Sequence, residues 1–265
     1  MKKRLISVSL AAVLIIMAGI ALCGCTKTVE NEEMTLSLNN IGERTGTYTG
    51  EVNSDGIPEG QGKFDTENTE GIEWYYEGAW VNGQMEGEGA TVWVDGTKHE
   101  GSYIDSIYDG QGKFYEDDSI VFEGEYKAGE YASGKLFNAK EEVVYEGEFK
   151  NGIPADKKQI KDSAVKVTYK KLAKNENTYM GDIVSVTGEV IQVLEGDDGY
   201  AEYRLALDEW WNDVVYLTYT RDKNEDRILE GDNITVYGMS RGLYTYESTE
   251  GVDITVPWID CCCYK

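Results

Sequence analysis

Four glycines that recur every 23 residues constrain the fold more than any other feature of the chain. They are Gly78, Gly101, Gly124 and Gly147, and each lies at the centre of an aromatic-x-Gly-x-aromatic pattern. A fixed period of this length indicates stacked copies of one small structural unit. Such a stack builds a surface that holds a partner and supplies no obvious reaction chemistry, so the period favours binding over catalysis.

The best copy of the pattern predicts a β-hairpin. Tyr76, Gly78 and Trp80 alternate, which places both rings on one face of a strand with a glycine between them. Asn82-Gly83 is typical of a tight hairpin turn, and Gly87-Glu88-Gly89 leaves room for rings at the return strand. One hairpin is only marginally stable, whereas stacked hairpins bury each other's rings.

This pattern resembles the MORN repeat, whose units read Tyr-x-Gly-x-Trp followed by a Gly-x-Gly pair. The resemblance covers about five copies in residues 46–155 and implies an all-β ribbon of stacked hairpins. The fourth copy departs from it, with Ser133-Gly134 in place of Gly-x-Gly, and the fifth lacks its second half. We expect these last copies to be frayed or to cap the repeat.

Two further features recur in the repeat frame. His99, the single histidine, takes the position of Tyr76 and Phe122, so we interpret it as a packing ring rather than a catalytic group. A glutamate lies between the first ring and the glycine of each copy and faces away from the rings. We expect a ladder of carboxylates that is either a solvated face or a cation-binding stripe; its members are Glu77, Glu100, Glu123 and Glu146.

The N-terminus carries the parts of an export signal. A basic head precedes the apolar run 5–22, which ends in Cys23-Gly24-Cys25. Residues 22–25 resemble the lipobox of bacterial lipoproteins. The resemblance implies that residues 1–24 are a signal peptide, that Cys25 is lipidated, and that the protein is anchored at the extracytoplasmic face of the cell membrane. The alternative is an uncleaved helix that just spans a bilayer.

The polar stretch that follows, residues 25–45, has no clear periodicity, and we interpret it as a tether.

The charge of the chain is strongly acidic. It has 49 acidic residues, 25 lysines and arginines, and a net charge of −24. Nucleic acid and anionic lipid headgroups are therefore poor candidate partners, because phosphate binding depends on basic residues. A solvated surface or cationic ligands fit this charge better.

Three consecutive cysteines, Cys261-Cys262-Cys263, stand near the C-terminus. Adjacent cysteines lack both the geometry of a disulfide framework and the spacing of a zinc site. We interpret them as small apolar residues of a strand, with Cys261 and Cys263 on the same side.

Residues 156–265 lack the 23-residue period and contain five β-rich runs, with an interior glycine, Gly188, suited to a sharp bend. Segments 179–181, 186–190, 228–232 and 236–238 resemble the OB-fold modules of secreted bacterial lipoproteins, which implies a small OB-fold-like β-barrel. An aromatic binding surface is expected there, formed by Trp210, Trp211, Tyr244 and Tyr246. The tryptophans alternatively cover one end of the barrel.

Together these features favour a non-catalytic envelope lipoprotein that acts as a binding or scaffold module, without cofactor or metal. Its expected partners are the membrane, through the N-terminal lipid, and an envelope protein or glycan, with no nucleic acid. One alternative is a carboxylate-based cell-envelope hydrolase that uses pairs such as Glu141-Glu142 or Asp197-Asp198. The other is a cation-binding protein that uses the glutamate ladder.

Overall fold

A computed structural model describes residues 27–174, 178–196, 199–221, 224–248 and 251–265. The expected signal peptide, the lipidation site Cys25 and the pair Asp197-Asp198 lie outside the described residues. No helix in the described part of the chain has the length and apolar character needed to cross a membrane.

The chain forms two β-structures in succession. The first, which we call the repeat sheet, has eleven antiparallel strands in chain order: β1 (Lys27–Leu38), β2 (Gly42–Val52), β3 (Pro58–Glu67), β4 (Glu73–Val81), β5 (Gln84–Trp93), β6 (Lys98–Ile104), β7 (Ile107–Glu116), β8 (Ser119–Lys127), β9 (Glu130–Phe137), β10 (Val143–Lys150) and β11 (Ile153–Pro154). The remaining elements are α1 (Lys157–Ser163), β12 (Val165–Lys166), α2 (Tyr169–Lys174), β13 (Ile183–Glu195), β14 (Tyr200–Ala206), β15 (Val214–Thr220), β16 (Asn233–Glu247) and β17 (Asp253–Tyr264).

A row of glycines crosses the repeat sheet at right angles to its strands. Each glycine pairs with the glycine of the next strand, and we call this row the glycine lane: Gly50, Gly62, Gly78, Gly89, Gly101, Gly112, Gly124, Gly134 and Gly147. The 23-residue period therefore corresponds to two strands, and the fourth copy pairs in full despite its divergent sequence.

Aromatic rings lie flat against the glycine lane because no side chain projects there. A Cβ added at Gly78 would lie 2.5 Å from the phenol oxygen of Tyr76 and 2.5 Å from the Cα of Gly89. Trp80 contacts Tyr76 edge to face, with ring centroids 5.1 Å apart, and contacts Tyr48 in the same way at 5.6 Å. The rings are almost fully buried, so they serve as the core of a one-layer sheet.

Phenol groups also satisfy backbone carbonyls in three of the repeat copies. Tyr48 donates to the carbonyl oxygen of Glu51 at 2.8 Å, and Tyr76 and Tyr145 each donate to the carbonyl oxygen three residues later in the chain. Each of these buried phenols is therefore paired. In the other two copies Phe122 has no hydroxyl and His99 pairs with Tyr103 instead, so the copies share the packing of this ring but not its hydrogen bond.

The expected tether is wrong for its described residues. Residues 27–45 form β1, the turn at residues 39–41 and the start of β2, and the two strands pair along their length. Met34, Leu36 and Leu38 alternate among acidic and polar residues, and this short period-two pattern places apolar side chains on the rings of the first copies. Asn39 and Gln84 hydrogen-bond the β1–β2 turn to β5. The hairpin therefore caps the first end of the repeat sheet.

The second end of the repeat sheet packs on the barrel. Ile160 of α1 and Met239 of β16 lie in one buried cluster with the rings of Phe122 and Tyr145. Asn138 donates from Nδ2 to Oδ1 of Asp182 at 2.7 Å. The backbone amide of residue 139 also donates to the carbonyl of residue 180 at 3.0 Å. The two structures therefore share a core and are connected by direct hydrogen bonds.

The second structure is a closed barrel of five strands. The order is β13-β14-β15-β17-β16, β15 and β17 are parallel, and β16 returns to pair with β13. Gly188 lies at a crowded position of β13, where an added Cβ would clash with the carbonyl oxygen of Ala206 and lie 3.0 Å from a methyl of Leu207. The predicted fold class, an all-β hairpin ribbon followed by a small OB-fold-like barrel, is confirmed.

The three cysteines are buried free thiols, but they do not alternate as expected. The register shifts between Tyr237 and Gly238, so Cys262 is the extra residue of a β-bulge in β17. Cys261 consequently faces the barrel core, whereas Cys262 and Cys263 join the cluster shared with the repeat sheet. Burial raises the pKa of Cys262 to about 12, so these thiols fill space and are protonated at neutral pH.

His99 is a packing ring at the middle of the repeat sheet. It is 1% exposed and stacks on Tyr108 with centroids 3.6 Å apart. Its Nδ1 lies 3.1 Å from the hydroxyl of Tyr103, which in turn lies 3.1 Å from that of Thr91. Nε2 has no partner. Burial lowers the pKa of His99 to about 3, so the ring stays neutral in the folded protein.

Substituting Gly78 tests the glycine lane. Gly78→Ala should destabilise the protein by about 1–3 kcal/mol, because the methyl would meet backbone atoms that cannot rotate away. Thermal melting measures the effect. Gly196→Ala is the matched control, since its nearest neighbour would be the Tyr200 carbonyl oxygen at an ordinary 3.6 Å. Equal melting temperatures for the two variants would contradict the close contact of rings with the lane.

The pH dependence of stability tests the burial of His99. Its pKa is lower in the folded chain than in the unfolded chain, so the unfolded state binds more protons below about pH 6.5 and stability falls as the pH falls. His99→Phe, which installs the residue of the equivalent position 122, should show a smaller fall in melting temperature between about pH 7 and about pH 5. Identical falls in the two proteins would show that His99 is accessible to protons.

Candidate functional site

A buried arginine on the outer side of the barrel is the most unusual polar group in the described structure. Arg204 of β14 lies opposite Tyr216 of β15. Its guanidinium carbon is 4.6 Å from the ring centre of Tyr216 and 4.3 Å from that of Tyr246, so two rings enclose it. The residue is 9% exposed, and its Nε and Nη1 have no hydrogen-bond partner.

More aromatic rings surround this arginine. Tyr244 stacks on Tyr216 with centroids 4.4 Å apart, and it lies 6.1 Å from both Tyr246 and Trp258. We call this set of five residues the arginine–aromatic face: Arg204, Tyr216, Tyr244, Tyr246 and Trp258.

The local fold explains how four strands contribute to one face. Side chains of β14 and β15 alternate between the barrel core and the outside, and Arg204 and Tyr216 take outer positions. The register of β16 against β17 shifts between Ser240 and Leu243. Such a bulge bends a strand, and the extended hairpin beyond it places Tyr244 and Tyr246 over β15 and β14.

Neighbouring polar groups are already paired, in contrast to Arg204. Trp258 donates from its indole nitrogen to Thr218 at 3.0 Å, and Thr218 donates to Asp260 at 3.0 Å. Arg241 donates to the other carboxylate oxygen of Asp260 at 3.2 Å. Burial, with a smaller effect of the Glu202 carboxylate, raises the pKa of Tyr216, whose phenol therefore stays neutral. Among the buried polar atoms of this face in the described structure, those without a partner belong to Arg204.

The structure brings together only two of the four expected aromatic residues. Tyr244 and Tyr246 belong to the arginine–aromatic face. Trp210 and Trp211 lie on the turn between β14 and β15, and within the described residues no ring contact connects them with either tyrosine. Sequence reasoning missed Arg204, whose place opposite Tyr216 depends on a strand pairing that the sequence does not reveal. The only available signal was its outward position between apolar residues of a strand.

The expected glutamate ladder is corrected by the strand register. Each hairpin has two strands, and the return strand inserts another side chain between successive glutamates. In order across the sheet the row reads Lys63, Glu77, Ala90, Glu100, Lys113, Glu123, Lys135 and Glu146. Lys113 pairs with Glu123 at 3.0 Å. The row therefore alternates in charge over most of its length and is not a carboxylate stripe.

The carboxylate pair considered for catalysis does not form a shared site. Glu141 lies at an exposed turn with a positive φ of 60°, whereas Glu142 accepts a hydrogen bond from Asn138. The described residues contain no group of three or more His, Cys, Asp or Glu side chains placed to hold a metal ion.

Comparison with known families identifies the repeat. The MORN repeat model matches residues 48–68, 76–98 and 145–155. No curated protein matches the chain. The matched segments are the first, second and fifth copies, and the glycine lane shows that the copies between them have the same architecture. The chain therefore contains MORN repeats, which suggest a binding or scaffold role and are generally non-catalytic.

Proposed function

We propose that this protein is a membrane-anchored envelope lipoprotein whose barrel binds a glycan that carries carboxylate groups. The observation that carries the proposal is the unpartnered guanidinium of Arg204 within a ring of aromatic side chains. A buried polar group without a partner calls for an explanation, and a bound ligand supplies one.

The chemistry of the face fits such a ligand. Tyrosine and tryptophan rings offer large, rigid apolar surfaces, with polar groups at their edges, on which a sugar ring can stack. A guanidinium pairs with a carboxylate through two parallel hydrogen bonds. Nε and Nη1 of Arg204, the two unpartnered atoms, lie on different edges of the guanidinium, and each edge is completed by Nη2. A carboxylate that pairs with either edge therefore satisfies one of them, and a second acceptor of the glycan is needed for the other.

The position of the face on the barrel agrees with this ligand class. OB folds commonly bind oligosaccharides or oligonucleotides across their second and third strands, which are β14 and β15 here. The net charge of −24 disfavours a dense polyanion such as nucleic acid. A glycan with isolated carboxylates meets a local positive charge and little long-range repulsion.

The membrane anchor is the second part of the proposal. Cys25 follows a basic head and an apolar run in a lipobox-like sequence. Two or more acyl chains on this cysteine would hold the protein on a membrane stably, whereas one chain binds reversibly. The repeat sheet and barrel would then present the arginine–aromatic face outside the cytoplasmic membrane.

Arg204→Met tests the glycan site. Methionine keeps an unbranched apolar side chain between the two tyrosines but removes the donors, so the affinity for a uronic-acid oligosaccharide should fall about 10- to 100-fold. Calorimetric titration measures it, with the neutral oligosaccharide of the same length as the matched ligand. Arg227→Met is the control, because Arg227 is an exposed arginine paired with Glu195. Equal affinity of native and Arg204→Met proteins for the acidic sugar would refute the site.

Cys25→Ser tests the anchor. The variant should move from the membrane fraction to the soluble fraction, because serine does not accept the lipid. Partition into detergent, measured on cells that express each protein, reports the change. Cys23→Ser is the control and should stay with the membrane. Membrane retention of Cys25→Ser would favour the uncleaved helix instead.

A further inference from the structure

Two adjacent and exposed tryptophans, Trp210 and Trp211, lie outside the arginine–aromatic face. Trp210 is 81% exposed and Trp211 is 58% exposed at the turn between β14 and β15. Tryptophan is usually well buried, and two adjacent exposed indoles are a costly surface to leave in water. Their exposure therefore points to contact with something outside the chain.

The turn that carries the tryptophans is held in a fixed conformation. Asp208 accepts hydrogen bonds through Oδ1 from the backbone amides of Asn212 and Asp213, at 2.8 Å and 3.1 Å. Trp211 has a φ of 56°, in the left-handed region that bulky residues rarely adopt. The surrounding hydrogen bonds maintain this strained backbone, and the side chains stay outside as a result.

A basic segment stands out from the acidic chain. Residues 157–174 hold seven of the 25 lysines and arginines and only one of the 49 acidic residues. All seven side chains are exposed: Lys157, Lys158, Lys161, Lys166, Lys170, Lys171 and Lys174. The last three lie on α2 and, with Thr178 and Tyr179, line an open surface cleft of about 500 Å³.

The fold places α2 beside the tryptophan turn. β12 runs parallel to β13, with Val165 opposite Val184, and so carries the chain in the direction of Gly188. A Cβ added at Gly188 would lie 3.0 Å from a methyl of Leu207, the residue after β14. Tyr169, the first residue of α2, and Leu207 both pack against the barrel core. The Asp213 carboxylate of the turn contributes, after burial, to raising the pKa of Tyr169, as expected for close neighbours.

We propose that the tryptophan turn and the lysines of α2 form a second membrane contact, one that binds an anionic phospholipid surface. We call it the tryptophan–lysine site: Lys170, Lys171, Lys174, Trp210 and Trp211. Indole rings favour the headgroup level of a bilayer, where the apolar body and the N–H are both accommodated. Lysines near the surface are attracted to anionic headgroups. The two residue types thus act on one flat partner.

A lipid surface accounts for the site better than a soluble polyanion does. A polyanion would engage the lysines and leave two apolar rings in water. The turn carries three carboxylates, Asp208, Glu209 and Asp213, which oppose the contact. The charge of Asp208 is partly offset by the two backbone amides that donate to it, whereas Glu209 is exposed. The acidic remainder of the barrel is repelled by the same surface, so the barrel approaches it through this end.

Quenching of tryptophan fluorescence tests the site on the full chain. The protein is reconstituted in vesicles whose lipids carry brominated acyl chains, which quench nearby tryptophans. Vesicles of phosphatidylcholine alone are compared with vesicles that also contain phosphatidylglycerol. Tryptophan emission of the native protein should be quenched more in the anionic vesicles. Trp210→Ser with Trp211→Ser should lose most of this quenching. A triple variant should reduce the quenching to the level measured in neutral vesicles; it combines Lys170→Gln, Lys171→Gln and Lys174→Gln. The charge-matched control replaces Lys127, Lys140 and Lys150 of the repeat sheet by glutamine and should quench like the native protein.

Two results would overturn the proposal. Equal quenching of the native protein and the double tryptophan variant would show that the turn does not reach the lipid. Retention of a soluble polyphosphate by the α2 lysines, without quenching in anionic vesicles, would assign them to a soluble polyanion. Vesicle flotation of the same samples reports the Cys25 anchor separately. A failed anchor is thereby distinguished from a failed tryptophan–lysine site.

Discussion

The contact between an aromatic ring and a bare glycine backbone determines the rest of this structure. A one-layer sheet has no second layer to bury its apolar face, and here the rings provide one by lying across the glycine lane. This arrangement requires a glycine at the same register in every strand from β2 to β10. It also limits each unit to contacts with its neighbours, so the sheet needs a cover at both ends. β1 covers one end, and α1 with the barrel covers the other.

Much of this sheet could be predicted from the sequence, because its signals are local. The spacing of Gly78 and Gly101 gives the size of the unit, and Asn82-Gly83 gives the turn between its strands. The cap formed by β1 could not be recognised as readily. Its apolar residues Leu36 and Leu38 stand among polar residues, and their burial depends on rings that lie many positions later in the chain. A capping strand has no repeat partner in sequence that would reveal it.

The candidate sites were less predictable, because they depend on register and on the distribution of charge. The prediction of a glutamate ladder failed because the return strands place other side chains between successive glutamates. Two of these side chains are Lys113 and Lys135. Arg204 became conspicuous only through its two enclosing tyrosines and its unpaired nitrogens. The net charge of the whole chain concealed the basic segment around α2, because an average over 265 residues does not describe a single surface. Tyr244 and Tyr246 were predictable as members of an aromatic surface, but their neighbours were not.

The early start of β1 has a consequence for orientation. Only one residue separates Cys25 from Lys27, the first residue of the sheet, and this length of chain reaches at most about 7 Å. Ten steps between neighbouring strands, at about 4.8 Å each, separate β1 from β11. A lipid on Cys25 and an indole pair beyond β11 would therefore touch the bilayer at points tens of ångströms apart. If the proposed anchor and the tryptophan–lysine site both bind lipid, a body fixed at two such points would lie along the membrane and could not swing freely. The arginine–aromatic face would then keep a constant height above the lipid.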